Sequence, residues 1–398
     1  MIDLKKSILM TFKDKIKQFV PPFFLKVYHF KLALLGTFLY GFPGYSKDFK
    51  IIGITGTSGK STTSDLVTRV FEEAGYKVAS ISTIRFKIGE NVWENKYKMT
   101  MPGRFIIQKF LKQAKNAKCD FVVLEVTSEG IRQFRYKFIN FDTAVFTNLS
   151  PEHIESHGGF ENYRNEKLKL FKVTKNIHII NSDDKNAEYF LNIFAKNKIT
   201  FSIEDNKKYN LNLKLAGDFN IMNALAAIKV GEVYKINFEI CKKAVEKAEA
   251  IPGRMEKILD NIIVDYAHTP EQLEAVYKSF NNKKLICVLG SCGGGRDKWK
   301  RPVLGEIAQK YCEKIIITNE DPYDENPMEI INQVAEKAGD NTEKILDRKE
   351  AIKKAIDVAN PQDIVIITGK GSEPWMCVAN GKKIPWDDRK IVKEIINK

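Results

Sequence analysis

The stretch Gly53-Ile54-Thr55-Gly56-Thr57-Ser58-Gly59-Lys60-Ser61-Thr62-Thr63 constrains the fold of this chain more than any other. The apolar run Phe49-Lys50-Ile51-Ile52 before it reads as a strand, and Ser64 to Phe71 after it has apolar residues at helical spacing. A glycine-rich turn between a strand and a helix is the setting of a phosphate-binding loop. Glycines let backbone N–H groups turn inward, Lys60 supplies a point charge, and the Ser61 hydroxyl is placed to ligate Mg²⁺. The strict spelling has a glycine five residues before Gly59, where this chain has Ile54, so the motif is a variant. The competing reading is a chance Gly-Lys-Ser in a surface turn, which the flanking strand and helix argue against.

At 398 residues the chain is long enough for two or three domains, and its 43% apolar and 29% charged residues are those of a soluble globular protein. The net charge of +14 is spread along the chain with no recognition motif. That distribution argues against a nucleic-acid partner and leaves anionic substrates or an anionic membrane surface as its explanation. Six cysteines, at 119, 241, 287, 292, 312 and 377, show neither paired spacing nor a Cys-x-x-Cys. With no cleavable signal peptide, they are expected to be reduced thiols in a cytoplasmic protein. Lys26, His29 and Lys31 interrupt the best candidate for a membrane span.

Residues 1–47 stand apart in composition, with eight Lys, no Arg and two Asp. Leu4, Ile8, Phe12, Ile16 and Phe19 repeat at helical spacing; Pro21-Pro22 breaks that helix, and Phe23 to Tyr40 reads as a second one. The apolar stripes either pack on the body of the protein or rest on a membrane surface.

From Lys50 onward strands and helices alternate, which predicts a parallel α/β sheet whose ligands gather at the carboxyl ends of its strands. Glu125 follows Phe121 to Leu124 and is placed to hold Mg²⁺ directly or through water. His153 and His157 follow the run Thr143 to Phe146, and His153 is a candidate functional residue by its place at a strand end. Lys167, in a helix from Tyr163 to Phe171, reads from chemistry alone as a solvated helix lysine. Asn220 and Asn223 open another helix, where they could read a base edge or serve as an ordinary N-terminal cap. A turn at Ala250 to Arg254 marks the expected boundary between a domain over 48–250 and one over 251–398. In the latter, Asp265-Tyr266-Ala267-His268, Gly290 to Asp297 with Lys298, Lys300 and Arg301, and Gly369-Lys370-Gly371-Ser372-Glu373 each follow a strand-length run. The three loops are expected at one edge of a parallel sheet and could share a cleft with the Gly53 to Thr63 loop.

Taken in order, these motifs resemble the Mur ligase family of ATP-dependent amide-forming enzymes, over about residues 48 to 398. The resemblance is carried by Gly53 to Thr63, Thr100-Met101-Pro102, Glu125 to Ser128, Thr147-Asn148-Leu149 with His153 and His157-Gly158, Asn220 to Asn223, Gly253 to Glu256, Asp265 to Pro270, Gly294 to Asp297 with Lys300-Arg301-Pro302, and Gly369 to Glu373. It is closest to the members that add the third residue of the peptidoglycan stem peptide. The resemblance implies a central P-loop ATPase domain with a mostly parallel sheet, a C-terminal Rossmann-like α/β domain, and ATP and Mg²⁺ as cofactors. By the family pattern Gly56, Thr57, Ser58, Gly59, Lys60, Ser61 and Thr62 bind ATP, with Asn220, Asn223, Arg254 and Asp265 around the nucleotide. Ser61 and Glu125 would hold one metal, and His153 a second with Lys167, which falls where the family carries a carbamylated lysine. Thr100, Thr127 and Ser128 would hold a muramoyl-peptide acceptor, while Arg296, Lys300, Arg301 and Glu373 would face the incoming amino acid or the phosphates. Arg135, His268, Asp321, Tyr323 and Gly369 complete the expected substrate set, and a monomer is expected.

Three departures from the family stand out. About 47 basic, apolar residues replace the N-terminal uridine-nucleotide domain, which leaves a UDP-linked or a lipid-linked acceptor open. Glu129 stands where His usually follows the Ser-Ser pair. The Asp-Asn-Pro-Arg stretch of diaminopimelate-adding members reads Glu320-Asp321-Pro322-Tyr323, followed by Asp324-Glu325. Loss of that Arg removes the partner of a distal carboxylate and predicts a substrate such as lysine or ornithine, whose amine the acidic run would attract. The alternatives are a folylpolyglutamate-type ligase and a non-catalytic nucleotide switch.

Overall fold

The strand Lys50–Thr55 (β1) is apolar on both faces, as Ile51, Ile52 and Ile54 are all buried, so it has to lie inside a sheet covered on both sides. In the computed structural model, which describes residues 21–40, 48–97, 99–280 and 282–397, it is the fifth of eight strands. The others are Val78–Ile81 (β2), Arg85–Ile88 (β3), Asn91–Glu94 (β4), Phe121–Glu125 (β5), Thr143–Phe146 (β6), Ile177–Asn181 (β7) and Asn197–Phe201 (β8), in the order β4-β3-β2-β5-β1-β6-β7-β8. All pairings are parallel except β2 with β3 and β3 with β4.

β1 pairs with β5 on one side and β6 on the other; the chain passes from β1 to β2 on the β5 side and later crosses from β5 over β1 to β6, so the carboxyl end of β1 is a topological switch point. The helix Lys60–Glu73 covers the sheet there. Its Phe71 stacks on Phe121 with ring centroids 3.8 Å apart, and Tyr234 closes the group edge-on at 5.0 Å from Phe121. The helix Phe219–Val233 packs beside it through Ala224, Ala227 and Ile228, all buried.

The helix Pro22–Tyr40 starts at the second proline, whose fixed φ suits a first helical turn. It buries Ala33, Gly36 and Thr37 against the helix Arg104–Asn116, and Phe30 meets the rings of Phe134 and Phe138. The stripe predicted over Leu4 to Phe19 lies outside the described residues.

The chain forms two compact units: residues 21–151 with 157–249, and residues 152–156 with 250–397. The second contains a six-stranded sheet of Glu256–Leu259 (β9), Ile262–Val264 (β10), Leu285–Leu289 (β11), Lys314–Thr318 (β12), Thr342–Ile345 (β13) and Ile364–Ile367 (β14), in the order β13-β12-β11-β14-β10-β9. Only the β9–β10 pair is antiparallel. Val264, Val288, Ile316, Ile352, Ile367 and Val392 form its core. Beneath the carboxyl edge, Arg348 makes a two-pronged pair with Asp388 at 2.9 and 2.7 Å and donates to the Thr368 carbonyl at 2.8 Å.

One expectation fails here. Cys287, in β11, and Cys312, just after the helix Lys300–Tyr311, are joined as a disulfide rather than being reduced thiols. A strand and the helix that crosses back over it bring two distant cysteines together with no short motif, so sequence spacing carries no trace of the pair. Cys119, Cys241 and Cys292 are free thiols.

Candidate functional site

The loop after β1 is clasped by the loop after β6. The Thr57 N–H donates to the Asn148 carbonyl at 2.9 Å, and the Ser58 N–H donates to its side-chain oxygen at 2.8 Å. Thr147 Oγ1 donates back to the Ser58 carbonyl at 2.7 Å. Gly56 lies so close to Thr147 that a Cβ there would overlap its hydroxyl. Gly59 caps the helix Lys60–Glu73 with a left-handed φ of 77°, and a Cβ on it would overlap Asn223 Oδ1. The Lys60 amine donates to the carbonyls of Gly56 at 3.0 Å and Thr57 at 2.8 Å, which holds its charge across the loop. Ser61 and Thr62 are buried in the first helical turn.

Asn220 and Asn223 lie inside the helix Phe219–Val233, so neither is its N-cap, which is Asp218. Asn223 donates to Asn220 Oδ1 at 3.0 Å and accepts from Thr63 Oγ1 at 3.2 Å, while Asn220 donates to the Ala216 carbonyl at 2.6 Å. This relay backs the glycine turn from the second helix.

Glu125 ends β5, in register with Ile54 of β1, and is 1% exposed. Its two oxygens accept from the Thr83 N–H at 3.0 Å and the Thr83 hydroxyl at 3.2 Å, and that hydroxyl also meets Thr100 Oγ1 at 2.8 Å. Thr83 escaped the sequence reading, although its place just past β2 was the available signal. Thr127 caps the short helix Ser128–Arg132, Ser128 is buried, and Glu129 accepts from Gln133 at 2.6 Å. Arg135 is buried with its guanidinium on the Met101 carbonyl, and burial lowers its pKa.

Lys167 departs most from its chemical expectation, because it is buried, not solvated. The helix Phe160–Val173 directs its amine to 2.7 Å from the Gly56 carbonyl and 4.5 Å over the Tyr163 ring. Tyr163 in turn bonds Thr57 Oγ1 at 3.1 Å. One helix thus fixes both a loop hydroxyl and a buried amine at the same turn.

His153 falls in the other unit, where Arg296 lies 3.3 Å from its ring nitrogens. Beside it Glu152, which the sequence reading left without a role, pairs with Lys300 at 3.3 Å and lies 3.9 Å from His268 Nε2. Burial raises the Glu152 pKa against the pull of Lys300 and Arg296, and burial with Lys300 holds His268 well below the usual imidazole value. Asp297 accepts from the Ile154 and Glu155 N–H groups at 3.1 and 3.0 Å.

The loops after β10, β11, β12 and β14 share one edge because these strands run parallel. Asp265 accepts from the Met255 and Ala267 amides at 2.6 Å each, and its burial raises its pKa. Arg254 lies 4.2 Å over the Tyr266 ring, whose hydroxyl reaches Glu373 at 3.0 Å. Lys370, another residue without a prior role, is fully buried between Asp321 at 2.8 Å and Glu373 at 2.6 Å. Gly369 packs against Glu320. Arg301 bonds Glu325 at 3.0 Å and Gln333 at 2.6 Å, and the Tyr323 ring packs on Gly294. His153, Asp321 and Tyr323 all have left-handed φ, at 57°, 39° and 52°, the backbone strain that gathers at functional loops.

Ser61 and Glu125 offer the hard oxygen donors that magnesium takes, with phosphate and water oxygens to complete its shell. Among the described residues no group of three or more His, Cys, Asp or Glu is placed to hold a metal ion. A lysine amine is no ligand for such a cation, so Lys167 fits one only with an oxygen-bearing modification.

A phosphate cradle at the switch point of a parallel sheet, with a second α/β unit carrying charged loops on one strand edge, defines a P-loop nucleotide-dependent α/β enzyme. Residues 54–212 match the Mur ligase middle domain and residues 253–371 the Mur ligase glutamate ligase domain. The UDP-N-acetylmuramoyl-L-alanyl-D-glutamate--2,6-diaminopimelate ligase of Syntrophomonas wolfei is 37% identical, over 92% of this chain and 81% of its own. A solved structure of a ligase of that name has a TM-score of 0.58 at 29% identity, over 88% of this chain and 78% of the other. The Mycobacterium tuberculosis folylpolyglutamate synthase, at TM-score 0.67 and 16% identity over 85% and 92% of the two chains, shares the fold alone. The chain belongs to the Mur ligase family, ATP-dependent enzymes that form amide bonds.

Proposed function

We propose that this protein joins a carboxylate of a UDP-muramoyl-peptide acceptor to the amine of an amino acid, in the synthesis of a peptidoglycan precursor. The acceptor carboxylate attacks the γ-phosphorus of ATP, the bond to the β-phosphate oxygen breaks, and ADP leaves an acyl phosphate. The amine nitrogen then attacks the acyl carbon, the carbon–oxygen bond to phosphate breaks, and the amide forms with loss of the amine proton. Lys60 and the first-turn amides of the helix Lys60–Glu73 bind the triphosphate and oppose the charge that develops on the transferred group. Thr83 fixes the Glu125 carboxylate, which together with Ser61 would hold magnesium. When bound, magnesium neutralises phosphate oxygens along the transfer path. Lys167, as a carbamate, would contribute a carboxylate-like oxygen to a second metal position, and His153 is a separate candidate ligand. Asn220, Asn223, Arg254 and Asp265 surround the nucleotide; Thr100, Thr127, Ser128 and Arg135 serve the acceptor; and the 296–301 and 369–373 loops with His268 serve the amine side.

The observation that carries this reading is the burial of Lys167 against the Gly56 carbonyl, since a nucleotide switch needs no second functional helix at its loop. A phosphate-release screen over acceptor and amino-acid pairs tests it. Stimulation by a UDP-muramoyl dipeptide with an amino acid is expected; stimulation by folates alone, or by no acceptor, refutes it.

For the amino acid we propose a substrate without a distal carboxylate, lysine or ornithine, because Tyr323 replaces the Arg of diaminopimelate-adding members. The acidic run is not a vacant amine receptor: Asp321 bonds Lys370 and the Cys377 N–H, Asp324 accepts from the Asn380 N–H, and Glu325 bonds Arg301. Discrimination therefore rests on the missing guanidinium. A strong preference for meso-diaminopimelate, the substrate in the relatives' name, would overturn this. The protein is proposed to be a monomer, which light scattering in solution tests.

A further inference from the structure

The helix Pro22–Tyr40 buries one face against the helix Arg104–Asn116 and presents the other outward. On the outward side Phe38 is 75% exposed, Phe23 69% and Phe24 61%, with Tyr28, Leu35 and Leu39 also exposed. Single exposed apolar side chains need no explanation, but six large ones on one helix form a patch that marks an interaction surface.

Charge identifies the occupant. Neither this helix nor the one it packs on contains an Asp or Glu, while Lys26, Lys31, Lys109 and Lys112 are exposed along them. The twenty residues before the helix add five Lys against two Asp. A second copy of the same face would set lysine against lysine with no acidic complement, whereas a surface of anionic headgroups supplies the missing sign. Lysine stems can run along an apolar surface while their amines reach the headgroups, and aromatic rings suit the same boundary. No helix among the described residues is long and apolar enough to cross a membrane, so this one can lie on a bilayer but not span it.

We propose that the outward face of Pro22–Tyr40 docks the protein on an anionic phospholipid surface, with Phe24 and Phe38 inserted at the headgroup boundary. The inference is independent of the ligation chemistry proposed above. It is tested by sedimenting the full chain with vesicles of phosphatidylglycerol and phosphatidylethanolamine, and with vesicles of phosphatidylcholine alone. Binding to the anionic vesicles is expected to be at least about 10-fold stronger and to fall several-fold as salt rises to 0.5 M. The double substitution Phe24→Glu/Phe38→Glu is expected to reduce it by about 10-fold or more, with the thermal melt and ATP hydrolysis unchanged. Equal binding to both vesicle types, or binding that survives the double substitution in a folded chain, overturns the proposal. A dimer in solution that the same substitution dissociates would make a second copy the occupant. Binding seen only after deletion of residues 1–20 would make that segment the occupant.

Discussion

Gly59→Ala isolates how the helix at Asn223 shapes the phosphate loop. The substitution meets two costs. At a φ of 77° an L side chain is disfavoured by about 1–2 kcal/mol. The new methyl also overlaps Asn223 Oδ1, which cannot swing aside because the side chain is buried and bonded to both Thr63 and Asn220. Overpacking of this kind costs about 1–3 kcal/mol. If both fall on the nucleotide-ready shape of the loop, ATP affinity drops by about 2–5 kcal/mol, on the order of 30-fold to several thousand-fold. Calorimetric titration with a non-hydrolysable ATP analogue measures it. The double variant Gly59→Ala/Asn223→Ala removes the overlap but keeps the left-handed cost, so it should bind better than the sum of the single losses by about 1 kcal/mol or more. An affinity for Gly59→Ala within twofold of the parent, or strictly additive losses, would refute the reasoning.

Lys167→Ala is expected to abolish phosphate release while the ATP analogue still binds, with activity partly restored by short carboxylic acids; unchanged turnover would remove Lys167 from the mechanism. Arg348→Met leaves Asp388 buried without its two-pronged partner and should cost about 3–5 kcal/mol, read as a lower urea midpoint; an unshifted midpoint would contradict it. His178 is fully buried with Nε2 at 2.8 Å from the Thr174 carbonyl, and burial lowers its pKa. The unfolded chain therefore takes up a proton near pH 6.5 that the native one refuses, so stability falls as pH drops below about 6.5. His178→Gln should flatten that slope in denaturation midpoints between pH 7 and 5, and an unchanged slope would count against it.

The phosphate loop, the parallel core and the strand-end position of Glu125 were legible because each is local: a strand, a turn and the residue that follows; His153, expected at the end of the strand Thr143–Phe146, falls instead in the other unit. Burial of Lys167 was not. Its neighbours Leu168 and Leu170 describe an ordinary amphipathic helix, and only the tertiary placement of that helix sets its amine on Gly56. The same reason hid Thr83, Glu152 and Lys370, which act on residues far along the chain. The disulfide escaped because a crossover, not a spacing, brings Cys287 to Cys312. Of the two roles the sequence allows Asn220 and Asn223, the cap falls to Asp218, and their bonds to each other and to the loop helix are long-range contacts that no local pattern signals.

The strand order carries a consequence in time. β1 has no hairpin partner; it pairs with β5, whose register begins at Phe121, and with β6, whose register begins at Thr143. The glycine turn behind it is backed by Asn223, bonded to Thr63 across a sequence separation of 160. During synthesis the loop therefore leaves the ribosome well before the residues that shape it, and it acquires its shape only after the 160 residues from Thr63 to Asn223 have followed. Its apolar strand waits unpaired until β5 and β6 have been made, and a nascent chain arrested before Asn223 should bind no nucleotide.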